Sequence, residues 1–351
     1  MAGNKKSFLK KIGLGTAIAL VAGLCIGAYV FYLKIYVPNV QLSANESPYL
    51  FIPTGSDFDD LILILEDRKL LDNEKSFRWM ADKMKYTSSV KPGRYLLKPG
   101  MNNKELVTLL RSGKQSPVKV TFNNIRLREE MAIRISEQIE APAQSILNLL
   151  NDEDYVARFG FNPENVLCMF IPNTYEFYWN TSADQFLQRM KREYDKFWTA
   201  PRLARAKAIE FTPVQVSILA AIVQKETNAN DEKRVIAGVY INRMVKGWKL
   251  EADPTLVYAL GDFTVNRVLA AFKQIVSPYN TYMFAGLPPG PICLPDIASL
   301  DAVLNYTPHN YMYFCAKDDL SGRHSFAVTY TQHLANARRF QKALDRRGIK
   351  S

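Results

Sequence analysis

The sequence predicts an α+β protein with an N-terminal transmembrane helix, a small α+β module and a larger mixed α+β domain. Three observations predict it. An uncharged apolar run follows a cluster of lysines at the start of the chain. From Tyr49 onward short strand-like and helix-like periods alternate, and after Ala183 longer helical periods dominate. With 351 residues, 48% of them hydrophobic, the chain can bury more than one core.

Lys5, Lys6, Lys10 and Lys11 precede the apolar run at 12–33. A run of about 20 such residues crosses a bilayer, whereas a cleaved signal peptide needs an apolar region of only about 7 to 15. A membrane anchor is therefore expected. Bulky Leu24 before Cys25 argues against lipoprotein processing, and Gly23 with Gly27 reads as ordinary helix packing rather than a dimer motif. The lysines place residues 1–11 in the cytoplasm and everything after Pro38 across the membrane.

The net charge of +11 suits anionic lipid, acidic polymers or a solvated basic face, and does not choose among them. Cys25, Cys168, Cys293 and Cys315 are scattered and the three histidines stand apart. That spacing gives no metal site, no disulfide framework and no nucleic-acid signature.

Residues 38–114 read as a small module, with strands at 49–53 and 93–97 and helices at 57–65, 77–84 and 103–110. The domain at 115–351 opens with a strand at 118–122 and helices at 127–139, 143–150 and 153–159. The aromatic stretch 169–179 predicts a strand with a turn, and 183–198 and 201–209 predict helices with solvated basic faces. A hairpin at 311–315 and 324–328 and a helix at 330–344 close the chain.

The centre of this domain is 211–258. Thr212 and Gln215 are spaced as a capping box with Pro213 at the first helical position, so a helix starts there and runs towards Glu226. Ile218, Leu219, Ile222 and Val223 form an apolar stripe whose next position is Glu226. A carboxylate there either pairs with Arg234 or Arg243, or sits at a cleft with a raised pKa as a general acid does. A second helix at 231–246 carries Glu232 and Arg243 on one side and stops at Gly247. A Glu232–Arg243 salt bridge that orients the first helix is expected, and Asp253 before Pro254 is expected to cap a further short helix. Tyr279 to Pro291 mixes aromatic faces, amide and hydroxyl donors and a proline-stiffened backbone, a mixture suited to a sugar chain.

Lys225-Glu226-Thr227, Glu232, Asn242-Arg243, Gly247 and Asp253-Pro254-Thr255 resemble the endolytic murein transglycosylases, or YceG-like proteins. Tyr279-Asn280-Thr281-Tyr282, the following G-L-P-P-G-P and G-R-H-S-F at 322–326 keep the family order, so the resemblance spans nearly the whole chain. It implies Glu226 as the catalytic residue. It also implies Glu176, Tyr279, Asn280, Thr281, Tyr282, Pro288, Pro289, Gly290 and His324 as substrate-binding residues, supported by Glu232, Asn242, Arg243 and Asp253. Asn173 stands where the family usually has Asp. The segments V-K-P-G-R-Y-L-L and L-V-T-L-L-R-S-G-K resemble a LysM-like module, with glycan contact or a spacer role as its alternatives. The implied substrate is the peptidoglycan glycan strand, cut at the β-1,4 bond between N-acetylmuramic acid and N-acetylglucosamine with 1,6-anhydro ends, and thereby limited in length while nascent. No cofactor or nucleic acid is implied. The implied setting is single-pass in the bacterial inner membrane, with the catalytic part in the periplasm and peptidoglycan synthases as candidate partners. A water-using muramidase and a non-catalytic glycan-binding partner of a synthase are the rival classes.

Overall fold

A computed structural model describes residues 3–43, 45–265 and 268–348. The fold is mixed α+β, mostly helical with three two-stranded sheets among the described residues. The chain divides into two compact units, the first made of the described residues up to Val118 with Glu176–Asn180, the second of the remainder.

In the first unit, α1 (Gly3–Tyr36) opens the chain. Its stretch Gly13–Tyr36, with mean hydropathy 2.1, is long and apolar enough to be a membrane span or a signal anchor. β1 (Tyr49–Ile52) pairs antiparallel with β2 (Gly93–Leu96), setting Leu50 opposite Tyr95. Around them lie α2 (Phe58–Asp67), α3 (Glu74–Lys83) and α4 (Asn103–Ser112), whose first turns are capped by Asp57, Asn73 and Asn102. Leu50, Ile52, Leu61, Phe77, Tyr95 and Leu106 are fully buried in the resulting core. The end of α1 is tied to this core by buried amides. Asn103 Nδ2 donates to the Lys34 carbonyl at 2.8 Å, and Asn39 Nδ2 donates to Asn103 Oδ1 at 2.6 Å. Phe31 meets Trp79 edge-on at 5.0 Å.

β3 (Val118–Phe122) leads from the first unit into the second, which continues with α5 (Arg128–Ser136), α6 (Ala143–Asn151) and α7 (Glu153–Ala157). β4 (Asn173–Phe177) pairs with β3. The strand expected over 169–179 is thus shorter, because Val166–Met169 forms a buried 3-10 turn. The Asn162 and Asn165 side chains each accept from the other's backbone N–H at 2.9 Å, which favours the turn over an extended chain. α8 (Ala183–Phe197) and α9 (Ala200–Ala208) lead to α10 (Pro213–Glu226). The Thr212–Gln215 capping box with Pro213 in the first turn is formed as read from the sequence. α10 is not amphipathic: every residue from Val216 to Val223 is buried. α11 (Asn230–Val245), α12 (Asp253–Leu260), α13 (Ile297–Leu304) and α9 pack on it, so the predicted stripe is a helix wrapped on all sides. Gly238 of α11 is required for close packing, since a Cβ there would come within 2.7 Å of His309 Nε2 and the Thr307 carbonyl. β5 (Tyr313–Ala316), β6 (His324–Ala327) and α14 (Tyr330–Arg346) complete the unit.

Candidate active site

Glu226 is the last residue of α10, where the buried helix reaches a cleft of about 410 Å³. It is half-buried, and its Oε1 accepts from the hydroxyl of Tyr240, on α11, at 2.5 Å. Burial lifts the Glu226 carboxyl to about 7 and the charge of Asp253 adds to the rise, while the Tyr240 hydrogen bond and Arg243 oppose it. Tyr240, fully buried, is held protonated first by burial and then by Glu226, so it remains a donor. Neither Arg234 nor Arg243 forms an ion pair with Glu226. Of the two alternatives in the sequence, the raised-pKa carboxyl is the one present.

The salt bridge expected between Glu232 and Arg243 is absent. Both lie on α11, eleven residues apart, which is about 16 Å along a helix axis. Glu232 is buried and accepts from the His324 backbone N–H and pairs with His324 Nδ1, each at 3.0 Å. Arg243 donates to the carbonyls of Met312 (2.8 Å) and Leu250, with Glu251 at 3.8 Å. Asn242 Nδ2 donates to the His309 and Tyr311 carbonyls at 2.7 and 3.0 Å. All three therefore fix the segment from His309 to His324 against α11. His324 is separated from Glu226 by two aromatic rings: its ring meets Phe314 edge-on at 5.3 Å, Phe314 meets Tyr240 at 5.9 Å, and Tyr240 bonds Glu226.

Asp253 does not cap α12, whose N-cap is Ala252 without a side-chain bond. Instead Asp253 is exposed in the cleft, and its Oδ1 accepts from the Tyr282 hydroxyl at 2.6 Å. Asn280 and Thr281 turn inward, contrary to the expectation that they meet sugar hydroxyls. Asn280 is wholly buried, donating to the Lys273 and Ile275 carbonyls and accepting from the Tyr282 N–H. Thr281 Oγ1 accepts from Ala252 N–H at 3.0 Å and bonds Thr255 Oγ1 at 2.8 Å. A turn with four backbone groups to satisfy uses up its own polar side chains. Tyr279 and Tyr282 stay half-buried at the surface of this loop, with Tyr279 against Tyr258 at 4.6 Å. Pro288 and Gly290 are buried and Pro289 half-buried. A Cβ on Gly290 would lie 1.9 Å from the Glu164 carbonyl oxygen, which explains the glycine. Glu176 is exposed on β4 and does not line the cleft.

The sequence did not single out Tyr240, Arg126 or Phe263. Arg126, Lys225 and Phe263 line the cleft beside Glu226, and the Arg126 guanidinium covers the Phe263 ring at 4.4 Å. Tyr240 could have been found only as a polar-tipped residue within the buried apolar run Ile236–Ile241 of α11.

The profile of the YceG-like family matches residues 50–339. The chain belongs to that family. It is 27% identical over 326 residues to a Bacillus subtilis (strain 168) protein named endolytic murein transglycosylase, covering 88% of this chain and 89% of that one. It is 26% identical to a protein of the same name from Streptococcus pneumoniae serotype 2, covering 91% of this chain and 63% of the pneumococcal one. Among solved structures, a YceG-like protein from Listeria monocytogenes is similar, with a TM-score of 0.55 at 28% identity over 82% of this chain and 97% of that one. Within this YceG-like chain the family motifs at Lys225-Glu226 and Asp253-Pro254 meet at one cleft.

Proposed function

We propose that this protein is a membrane-anchored endolytic lytic transglycosylase of peptidoglycan, cutting the β-1,4 bond between N-acetylmuramic acid and N-acetylglucosamine and leaving 1,6-anhydro ends. The observation that carries the reading is Glu226: a carboxyl with a pKa of about 7, in a cleft, with Oε1 bound by Tyr240. Such a group keeps about half its protons at neutral pH, enough for a general acid, and becomes a competent base once it has given up the proton. The names of the relatives supply the substrate class.

In the proposed cycle Glu226 gives its proton to the glycosidic oxygen as the C1–O4 bond breaks and positive charge develops at C1. The C6 hydroxyl of the same muramic acid ring attacks C1, and its proton returns to Glu226, which ends the cycle protonated. No water is consumed. A hydroxyl held by its own ring reaches effective molarities on the order of 10⁵ M, so a second catalytic carboxylate is not required. Tyr279, Tyr282, Pro289 and the His324 layer then hold the strand and the reactive ring. The exposed part of the loop extends the binding surface.

A hydrolytic muramidase is the second reading, favoured by one observation: Asp253 lines the same cleft, and its charge acts on Glu226. Digestion of purified glycan strands in ¹⁸O-water separates the two. Unlabelled anhydro ends are expected, and labelled reducing ends would establish hydrolysis instead. The transglycosylase reading takes 38–114 as a LysM-like glycan-binding module, 115–351 as the catalytic domain, and the lysines ahead of the apolar run as cytoplasmic, which puts the cleft in the periplasm near peptidoglycan synthases. Cutting nascent strands there would limit their length.

A further inference from the structure

Two cations share the cleft with Glu226, and the proton transfers proposed above use neither. Arg126 and Lys225 are both half-buried and both line it. Among the described residues neither has a carboxylate partner. Glu130, four residues on, accepts from the backbone N–H of Arg126 at 2.8 Å rather than from its guanidinium. Each side chain is nevertheless held in place. Lys225 Nζ donates to Asn124 Oδ1 at 2.8 Å, from a residue whose backbone is in the left-handed region at φ 50°. The Arg126 guanidinium lies on the face of Phe263. The two charges share the cleft wall with Ile292, and burial pushes the adjacent Cys293 thiol up to about 11 while Lys225, Arg126 and Lys233 oppose that rise.

Fixed, partly desolvated and unpaired cations in a cleft are costly unless an anion joins them. The backbone of an N-acetylated β-1,4 glycan supplies none. In a strand whose muramic lactyl groups are amide-linked to stem peptides, the anions are the carboxylates of those peptides and the pyrophosphate at the lipid-linked end of a nascent strand.

We infer that Arg126 and Lys225 form an oxyanion subsite beside Glu226 that selects strands by an attached carboxylate or phosphate group, not by the sugars alone. This inference rests on the transglycosylase reading and deepens it. The anion would bind both cations, with Asn124 and Phe263 keeping both side chains aimed.

The test uses the full chain in detergent with Glu226→Gln, which binds without cutting. Three strand preparations of equal length serve as probes: peptide-bearing and lipid-free; peptide-stripped and lipid-free, with the lactyl carboxyls that stripping exposes converted to neutral amides; and the same amidated strand with the polyprenyl pyrophosphate retained. At least one charged preparation is expected to bind roughly ten- to a hundredfold more tightly than the uncharged one, as charge-assisted hydrogen bonds allow. Which preparation gains identifies the stem peptide or the nascent end as the source. Adding Arg126→Gln and Lys225→Met should bring the ratio towards one and flatten its salt dependence. Arg126→Lys and Lys225→Arg should keep most of it, which separates loss of charge from loss of fold. Equal binding of all three preparations, or a ratio that survives removal of both cations, overturns the inference. Charge-selective binding by a protein whose Glu226 form cuts nothing would leave the subsite standing and remove the transglycosylase reading.

Discussion

Replacing Glu226 with Gln should abolish cleavage and, at the same time, make the protein more stable in alkaline solution. Gln is nearly isosteric, can still accept from the Tyr240 hydroxyl at Oε1, and carries no proton to donate. The stability effect follows from linkage. In the folded protein the Glu226 carboxyl is raised from 4.5 to about 7. A raised carboxyl pKa means the unfolded chain ionises first, so the native state loses relative stability as pH rises from 4.5 and the loss is complete above about 7. A shift of that size corresponds to roughly 3 kcal/mol, an upper figure because the carboxyl is only half-buried. Across a domain of this size each kcal/mol moves Tm by about 2–4 °C, so the variant should melt roughly 5–10 °C above wild type at pH 8 and level with it near pH 4. Thermal and urea unfolding of both proteins from pH 4 to 8 measures this. Superimposable wild-type and variant curves over that range would refute the raised pKa and, with it, the argument that Glu226 is poised as an acid.

Tyr240→Phe removes a hydrogen bond that favours the carboxylate, so the alkaline fall of kcat/KM should move up by about one pH unit or more, with reduced kcat; an unmoved pH profile would show that the 2.5 Å contact does not tune the acid. In a double-mutant cycle, Glu232→Gln and His324→Ala should couple by about 1 kcal/mol or more, whereas Glu232→Gln and Arg243→Lys should be additive in urea titrations, and the reverse pattern would restore the discarded salt bridge. Gly290→Ala drives a methyl into the Glu164 carbonyl, and a loss of about 1–3 kcal/mol is expected by denaturation, with a rise in KM as the 279–291 loop shifts; a neutral effect on both would mean that the loop is free to move.

The start of α10 was legible because a capping box and a proline act within one turn, and Glu226 was legible because it interrupts an apolar period. Its raised pKa was legible as one of two alternatives, and only the position of Tyr240, set by how α11 packs, decides between them. The failures have one kind of cause. Glu232 and Arg243 share a helical face, but sharing a face does not bring together residues three turns apart. Asn280 and Thr281 look like ligand-binding polar residues until the backbone groups of their own turn are counted. The Arg126 and Lys225 pair could not be read at all, since 99 residues separate them and only the tertiary fold makes them neighbours of one thiol.

The buried amides at the end of α1 have a mechanical consequence. Asn103 holds the Lys34 carbonyl and Asn39 holds Asn103, so the apolar helix passes into the first unit without a length of free chain. A stretch of 24 residues rises about 36 Å, some 6 Å more than a bilayer's hydrocarbon needs, and that surplus at its end includes Lys34, whose carbonyl Asn103 holds. If α1 spans the bilayer, the first unit rides at a set height on its surface, like a float on a keel. It can drift and spin in the plane, but it cannot reach outward.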